Sequence, residues 1–264
     1  MSFFSVNSLC AGYGSGHVFD DISFELTEGT LIGILGANGS GKTTLLKAVC
    51  GILPHEGTCV LEGVMLEGLS ARNIAKLCSY IPQRSGITID VSVLDVVLMG
   101  FNPQLGLLQR PNASMREAAV HTLAQVGLAG REDENYLHLS EGQKQLCILA
   151  RTLVTQSKLF LLDEPESALD FRYRYRMLEI IRSWVNEKKN CAITTLHDPG
   201  LALNYCDRIL LLQEGKLLGF ISPMEDDLGA MESMLSRVYG PVSLAQIVSR
   251  SGRPQLVMLK EEEE

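Results

Sequence analysis

The chain carries, at positions 36–43, the stretch Gly36-Ala37-Asn38-Gly39-Ser40-Gly41-Lys42-Thr43. It follows the apolar run Leu31–Leu35, which predicts a short buried strand, and precedes Thr44–Cys50, which predicts a helix. This order of strand, loop and helix is the context in which the pattern G-x-x-x-x-G-K-[ST] forms a phosphate-binding P-loop.

The residue types of this stretch suit a phosphate group. The glycines let successive backbone N–H groups point into one concavity, and the following helix directs its positive dipole end to the same place. Lys42 supplies a positive charge for the phosphates, and the Thr43 hydroxyl supplies a ligand for Mg²⁺. We therefore expect residues 36–43 to bind a nucleotide.

The composition indicates an acidic globular protein. The 264 residues are 46% hydrophobic, enough to bury a core as one large domain or as a domain with an inserted lobe. The 31 Asp and Glu residues outnumber the 23 Lys and Arg residues, and the formal charge is −8. This charge disfavours nucleic acid or an anionic membrane surface as the main partner, because both select basic faces. Without an apolar run of membrane-spanning length or a signal-like N-terminus, we expect a chain that is soluble by itself.

The seven cysteines are scattered and form no C-x-x-C pair; they are Cys10, Cys50, Cys59, Cys78, Cys147, Cys191 and Cys206. Several lie inside apolar runs, so we expect buried reduced thiols. The pattern predicts no zinc site.

The residues before the P-loop predict an antiparallel layer of strands. Ser5–Leu9 predicts an edge strand, Cys10–Gly16 a loop, and Asp21–Leu26 a half-buried strand with alternating polar and apolar side chains. Tyr13 lies in the predicted loop, where an aromatic ring either stacks on a base or simply packs. Spacing alone leaves both interpretations open.

The pattern becomes helical between about residues 92 and 153. It follows the predicted helix Ala71–Leu77, the short strand Cys78–Pro82 and Gln83. Positions 115, 119, 122, 123 and 126 share one face of an amphipathic helix, whereas Phe101–Asn112 contains two prolines and predicts a loop. This block predicts a helical lobe inserted into an α/β core.

The segment Leu139-Ser140-Glu141-Gly142-Gln143 opens one of these helices. Ser140 is placed as its N-cap, and Gly142 leaves the backbone amides of the first turn accessible, which makes the helix N-terminus a candidate anion site. An ordinary capped helix explains the same residues. The segment alone does not decide between the two.

Two acids end the next predicted strand. Lys158–Leu162 predicts a strand buried on both faces, with Asp163 and Glu164 at its carboxyl end. Beside a P-loop, one carboxylate of such a pair binds Mg²⁺ and the other is left as a base for a water molecule. Ser167–Asp170 then caps the next helix.

A further buried strand, Cys191–Leu196, ends at His197. We expect this strand to lie next to the one that bears Glu164, which would bring His197 to a γ-phosphate. The remaining residues predict a hairpin at positions 208–218, a helix at Met231–Tyr239 and a strand at Gln255–Leu259, without candidate chemistry.

These motifs together resemble an ATP-binding-cassette (ABC) ATPase over at least residues 1 to about 220. The P-loop, Gln83, Leu139–Gln143, Asp163-Glu164, Ser167–Asp170 and His197 occur in the order and spacing of that family. The resemblance implies an α/β fold with a P-loop NTPase (RecA-like) core, an antiparallel β layer and an inserted α-helical subdomain. It implies a single ABC ATPase domain over residues 1–264, with the core and β layer at 1–84 and 156–264 and the helical subdomain at 85–155.

The resemblance also implies ATP and Mg²⁺ as cofactors, and it assigns site residues. The implied catalytic residues are Glu164, His197, Lys42 and Gln83. The implied nucleotide contacts are Tyr13, stacked on adenine, with Gly36, Asn38, Gly39, Ser40, Gly41, Lys42, Thr43, Thr44, Ser140, Gly142, Gln143 and Asp170. The implied Mg²⁺ contacts are Thr43, Gln83 and Asp163.

The implied assembly is a head-to-tail homodimer with two ATP molecules, each between one P-loop and the Ser140 and Gly142 of the other subunit. Two residues depart from the family pattern, since Glu141 stands where Gly is usual and Glu166 where Thr is usual. Both add negative charge near a triphosphate site and would weaken dimer closure. Because Ser140, Gly142, Glu164 and His197 are kept, we still expect a working ATPase.

A second, narrower resemblance concerns the cargo. The segments Thr88–Gly100, Asn102-Pro103 and Val238–Gly240 are similar to those of importers of iron-siderophores, haem, cobalamin and related metal chelates. This implies integral membrane permease subunits, an extracytoplasmic substrate-binding protein and a peripheral location on the cytoplasmic face of the cell membrane, with no nucleic acid partner. A molybdate or tungstate importer, an exporter and a non-transport soluble ABC ATPase remain the alternatives.

Overall fold

The computed structural model describes residues 2–14, 16–83, 86–167 and 169–262. The strands are β1 (Phe4–Tyr13), β2 (Gly16–Leu26), β3 (Leu31–Leu35), β4 (His55–Leu61), β5 (Val64–Met65), β6 (Cys78–Ile81), β7 (Leu159–Asp163), β8 (Cys191–Thr195), β9 (Arg208–Gln213), β10 (Lys216–Ile221), β11 (Val242–Val248) and β12 (Pro254–Lys260). The helices are α1 (Lys42–Val49), α2 (Ala71–Leu77), α3 (Val93–Leu98), α4 (Ala113–Val126), α5 (Glu141–Leu153), α6 (Phe171–Lys188), α7 (Pro199–Tyr205) and α8 (Leu228–Tyr239).

The central sheet has the strand order β10-β9-β3-β8-β7-β6. Strands β9, β3, β8, β7 and β6 are parallel, and β10 is antiparallel to β9. All five residues of β3, β7 and β8 are buried, as is usual for parallel strands covered on both faces. The carboxyl ends of these parallel strands meet at one edge of the sheet, so the residues that follow them come together there.

Alternate residues of the central strands face two different cores. Leu159, Leu161 and Ile193 pack with β1, β2 and α1, whereas Phe160 and Leu162 pack with α3, α5 and α6. This alternation follows from the period of two of a strand. The sheet therefore separates a β-rich half from a helical half.

The second sheet is antiparallel, with the order β2-β1-β4-β5. The expected antiparallel layer is present, but the expectation for Ser5–Leu9 was wrong in two respects. Strand β1 lies between β2 and β4 and not at an edge, and it continues to Tyr13 through the residues predicted as a loop. Its second neighbour, β4, comes from far along the chain, and the local pattern carries no sign of that pairing.

Helices α3, α4 and α5 pack on one another between β6 and β7, where the helical pattern predicted an insertion. Each begins with a side-chain N-cap, from Ser92, Asn112 and Ser140 respectively. The boundaries 85–155 for this subdomain remain a prediction. None of the helices in the described ranges is long and apolar enough to cross a membrane.

The C-terminal part contains more structure than the sequence indicated. Helix α8 and strand β12 match the expected helix and strand within a few residues, but β11 was not predicted. Strands β11 and β12 form a hairpin that is a separate two-stranded sheet and packs against α7 and α8. All seven cysteines are free thiols, six of them buried and Cys10 half-buried, as expected.

Phe160 links the strand that ends at Asp163 to helix α6. Its ring is fully buried and stacks on Trp184, with ring centroids 3.5 Å apart. We predict that Phe160→Ala lowers the free energy of unfolding by about 3–5 kcal/mol, because it removes a buried aromatic ring and leaves a cavity. Urea denaturation followed by circular dichroism measures this change.

The matched control is Phe171→Ala, whose side chain is 77% exposed at the start of α6. It should cost less than about 1 kcal/mol, as surface substitutions usually do. Equal losses in both variants would contradict the assignment of Phe160 to the core.

Candidate functional site

The P-loop connects β3 to α1, and two of its glycines are required by the backbone. A Cβ at Gly36 would lie 2.1 Å from the carbonyl oxygen of Leu212 on β9. Gly41 has a φ of 103°, in the left-handed region that favours glycine. The sequence therefore folds this loop tightly around the N-terminus of α1, with the loop's amides available to an anion.

Lys42 begins α1 and is buried. Its Nζ donates to the carbonyl oxygens of Gly36 at 2.8 Å and Ala37 at 3.1 Å. Desolvation by burial lowers the pKa of Lys42, while the nearby carboxylates of Glu164, Asp163 and Glu166 act to raise it. The ammonium group is thus held at the loop, in a cleft lined by Val18, Asn38, Gly39, Gly41, Lys42, Thr43, Thr44 and Glu164.

Asp163 gathers three hydroxyl groups at the end of β7. Its Oδ1 accepts hydrogen bonds from Thr43 Oγ1 at 2.8 Å and Thr195 Oγ1 at 3.1 Å, and its Oδ2 accepts one from Tyr80 at 3.0 Å. Burial is the main cause that raises the pKa of Tyr80, and the Asp163 carboxylate adds to it. The result is a partly buried cluster of hard oxygen donors beside the P-loop, the donor type that Mg²⁺ prefers.

Glu164 lies next to this cluster, and its Oε2 has two nitrogen neighbours, a hydrogen bond from Gln83 and an ion-pair contact with His197. Its Oε2 is 2.7 Å from Gln83 Nε2 and 2.8 Å from His197 Nε2. Its backbone φ of 47° is in the left-handed region, which is uncommon for a residue with a side chain and is typical of functional sites. The carboxylate is therefore positioned from two sides.

His197 follows β8, the strand beside β7, as the sequence predicted. The structure adds a contact that sequence reasoning missed, because the His197 backbone N–H donates to Glu166 Oε1 at 3.0 Å. The Glu166 side chain is only 2% exposed, and burial raises its pKa. Its other oxygen has no hydrogen-bond partner among the described residues.

The Leu139–Gln143 segment starts α5, and Ser140 is its N-cap as predicted. The side chain of Gln143 accepts from the Ser140 N–H, and the Ser140 hydroxyl accepts from the Gln143 N–H, which completes a capping box. Within the described ranges, no hydrogen bond of these residues reaches the P-loop of the same chain. Gly142 instead packs against the ring of Tyr173, since a Cβ there would lie 2.7 Å from it.

The two residues that depart from the family pattern have different surroundings. The Glu141 side chain is 67% exposed and forms an ion pair with Lys144 at 2.8 Å, so part of its charge is balanced on the same helix. Glu166 is buried under His197. Of the two acids, only Glu141 is exposed, at the N-terminus of α5.

Two other predicted nucleotide contacts lie outside this cluster. Tyr13 ends β1 with its side chain 56% exposed and does not line the cleft at the P-loop. Asp170 caps α6, where its side chain accepts from the Tyr173 N–H at 3.1 Å. Ser40 is buried within the loop, and its hydroxyl has no partner in the described part of the chain.

The residues missed by sequence reasoning lie on the strands beside β7 and on helix α5. Thr195 pairs with Asp163 across β7 and β8. Its position at the end of the predicted strand, two residues before His197, could have indicated that it lies near Asp163. Tyr80 reaches Asp163 from β6, and Gln145 donates to the Gln83 carbonyl oxygen at 3.0 Å. For the last two no sequence signal was available, because they depend on which strands and helices become neighbours.

Comparison with known proteins identifies the family. The profile of the ABC transporter family matches residues 19–167. The hemin import ATP-binding protein HmuV of Pseudomonas putida is 35% identical over 250 residues, which cover 92% of this chain and 95% of that protein. A probable iron chelatin transport ATP-binding protein of Helicobacter pylori is 35% identical over 214 residues, or 80% of this chain and 84% of that protein.

A solved structure agrees over nearly the full length. A metal-chelate type ABC transporter in an inward-facing conformation superimposes with a TM-score of 0.83 at 25% sequence identity, covering 99% of both chains. The sequence motifs, the fold and the relatives lead to the same conclusion. The chain belongs to the ABC transporter family and is one of its ATP-binding, ATP-hydrolysing subunits.

Proposed function

We propose that this chain powers the import of an iron-containing chelate, such as haem or an iron–siderophore complex, through a membrane permease. The observation that carries the proposal is the similarity, over most of the chain, to ATPases named for hemin import and iron chelatin transport. The sequence segments at Thr88–Gly100 and Val238–Gly240, in and after the helical region, support it. In this role the cargo never contacts the ATPase, which acts from the cytoplasmic face of the membrane as a peripheral subunit.

The P-loop would hold the triphosphate of ATP. The amides of Gly39, Ser40, Gly41 and Thr44 and the ammonium of Lys42 are the donors for phosphate oxygens. Lys42 would exchange its two carbonyl partners for phosphate, a stronger charge-assisted interaction. Gly36 and Asn38 would complete the loop around the phosphates.

The oxygen donors around Asp163 fit Mg²⁺. Thr43 Oγ1 and Asp163 Oδ1, already 2.8 Å apart, would hold the ion with help from Gln83. Bound there, Mg²⁺ would neutralise charge that develops on the phosphates during hydrolysis. The hydroxyl groups of Thr195 and Tyr80 donate hydrogen bonds to the Asp163 carboxylate. These bonds fix the orientation in which the carboxylate would bind the ion.

Glu164 is the residue proposed to accept a proton from the attacking water. Gln83 donates to its Oε2, which also lies 2.8 Å from His197 Nε2, and this leaves Oε1 for the water. Once ATP is bound, the side-chain N–H of His197 would donate a hydrogen bond to the γ-phosphate. The carbonyl oxygen of Gln83 accepts a hydrogen bond from Gln145 of α5, so Gln83 connects the Glu164 carboxylate to the helical region. Through this connection Gln83 would transmit the movement caused by ATP hydrolysis to the permease.

A second copy of the chain completes the proposed site. Ser140, Gly142 and Gln143 form a capped helix N-terminus that makes no hydrogen bond to the P-loop of its own chain in the described residues, so these donors would serve the ATP of a partner in a head-to-tail dimer. Asp170 and Tyr13 would approach the nucleotide from the α6 start and the β layer. The extracytoplasmic substrate-binding protein joins the complex only through the permease.

The test of the import function is recovery of the complex. Tagged Glu164→Gln protein is purified from detergent-solubilised native membranes, and the co-purified proteins are identified by mass spectrometry. We expect a stoichiometric polytopic membrane protein with a chelate-binding protein whose absorbance spectrum and iron content distinguish haem from other iron chelates. Recovery of soluble or nucleic-acid partners alone would contradict transport and leave the ATPase assignment intact.

The Glu164→Gln substitution should also trap the ATP-bound dimer. Gln removes the proton acceptor but keeps the volume and one hydrogen-bonding oxygen, so binding and closure continue while hydrolysis stops. Gel filtration with ATP and Mg²⁺ should show a dimer for this variant. The matched control Glu117→Gln, on the exposed face of α4, should behave as the wild type. A monomer for Glu164→Gln under these conditions would refute the mechanism.

Glu166 is a candidate positioning residue, since it holds the backbone of His197. Glu166→Ala removes the acceptor of a hydrogen bond worth about 1–1.5 kcal/mol, which corresponds to about a tenfold loss of kcat if it is felt in the transition state. KM for ATP should change less, because the P-loop contacts remain. Steady-state ATPase assays measure both constants.

Glu166→Gln is the control for this prediction, because its amide oxygen can still accept from the His197 N–H. It should retain most of the wild-type kcat. If Glu166→Ala keeps full activity, or if both variants lose it equally, Glu166 does not act through that hydrogen bond.

A further inference from the structure

A cluster of three metal-ligand side chains lies outside the nucleotide site, in the β layer, although the cysteine pattern of the sequence predicted no zinc site. His55 and Cys59 stand on β4, and Glu67 follows β5 at the point where the Leu66 N–H bonds to the Cys59 carbonyl oxygen. One ligand atom from each of His55, Cys59 and Glu67 lies within 4.8 Å of the other two. We call these three residues the His55 cluster. Cys59 is fully buried, and His55 and Glu67 are partly buried.

The ring of His55 is placed between two acceptors. Its Nδ1 is 3.2 Å from the carbonyl oxygen of Leu53, and its Nε2 is 3.1 Å from Glu67 Oε1. A neutral imidazole carries only one N–H, so it cannot donate to both. If Nδ1 donates to Leu53, Nε2 has no proton of its own in the neutral ring. The contact between Nε2 and the Glu67 carboxylate then requires either a second proton on the imidazole or a cation bound between the two atoms.

Glu67 has an unused oxygen at the same place. Its Oε1 accepts from the Cys59 backbone N–H at 2.7 Å as well as facing His55. Its Oε2 is buried and has no hydrogen-bond partner in the part of the chain that the structure describes. A buried carboxylate oxygen left without a partner is costly, and a bound cation would remove that cost.

The Cys59 thiol completes a mixed donor set. Cys59 Sγ is buried beside the other two ligand atoms. Metal ions bind the thiolate, so binding would release the thiol proton to solvent. Sulfur, imidazole nitrogen and carboxylate oxygen are together the donors found in zinc sites.

We propose that His55, Cys59 and Glu67 form a Zn²⁺ site, with Cys59 Sγ, His55 Nε2 and a Glu67 carboxylate oxygen as ligands. Zinc-to-nitrogen and zinc-to-oxygen bonds of about 2.0–2.2 Å in a tetrahedral arrangement place neighbouring ligand atoms about 3.4 Å apart. The His55–Glu67 pair is already at 3.1 Å, and the thiol lies close enough to reach the ion with a small adjustment of its side chain. A water molecule is the fourth ligand.

The site would fix the end of the P-loop helix to the β layer. Leu53, which accepts from His55, donates its own N–H to the carbonyl oxygen of Lys47 near the end of α1. A metal ion on His55 therefore joins β4, the segment after β5 and this end of α1. The proposal does not depend on which cargo is transported, because it concerns only the folded ATPase.

Zinc binding to the purified full-length protein tests the proposal. The protein is stripped with a chelator, the chelator is removed, and Zn²⁺ is titrated by calorimetry without nucleotide, since ATP itself binds the ion. We expect one Zn²⁺ per chain and a rise in Tm with added Zn²⁺. Cys59→Val, which suits a buried strand position, should weaken binding by at least about 100-fold, because loss of a residue that only supports a ligand already costs about 10–100-fold.

Cobalt provides a second readout that is independent of stability. Co²⁺ in place of Zn²⁺ should give a thiolate-to-metal charge-transfer band in the wild-type protein and none in Cys59→Val. The matched control is Cys10→Ser, in the more exposed cluster of Cys10, His17 and Asp20, and it should keep the band.

Three outcomes would overturn the proposal. The first is no zinc binding to the wild type, in which case His55 and Glu67 form an ion pair only. The second is a cobalt band that survives Cys59→Val, and the third is zinc binding lost in Cys10→Ser but kept in Cys59→Val. None of these outcomes affects the import function, which the membrane pull-down tests separately.

Discussion

The carboxylate of Asp163 accepts hydrogen bonds from residues of three other elements, namely Thr43 of α1, Tyr80 of β6 and Thr195 of β8. A buried carboxylate without such partners would be strongly unfavourable, so the four elements must keep their relative positions. The strand order makes this possible, since β7 lies between β6 and β8 and all three are parallel. The P-loop, the acids and His197 then meet at one edge of the sheet.

Acidic groups dominate this edge. The pKa of Lys42 is lowered by burial, but Glu164, Asp163 and Glu166 lie close enough to offset part of that effect. A site with three carboxylates and one lysine does not suit a free triphosphate, and it becomes favourable when a divalent cation accompanies the phosphates. The electrostatics are therefore consistent with ATP binding together with Mg²⁺.

Two buried carboxylate oxygens, Glu67 Oε2 and Glu166 Oε2, have no hydrogen-bond partner in the described ranges. Both belong to side chains that hold a backbone amide with their other oxygen, of Cys59 and His197 respectively. Such groups cost stability and are retained where they serve another purpose. At Glu166 the proposed purpose is the position of His197, and at Glu67 it is the proposed zinc ion.

Much of the site was predictable because its motifs are local. The P-loop, the Ser140 N-cap, the acids after β7 and His197 after β8 each follow from a short pattern whose chemistry requires those residue types. The layers of the fold followed in the same way from strand and helix periodicity. The sequence also predicted that position 36 requires a glycine. It did not predict the reason, which is the nearby carbonyl oxygen of Leu212.

Other features depended on residues far apart in the chain. The position of β1 inside its sheet, the pairing of β11 with β12, and the contacts of Tyr80 and Gln145 all require neighbours that no local pattern specifies. Glu166 illustrates the difference most clearly. The sequence alone determined that an acid replaces the usual Thr beside the triphosphate site. Only the tertiary structure decided that Glu166 is buried against the His197 amide. The reason is that β7 and β8 pair side by side, which brings the segment after β7 next to the segment after β8.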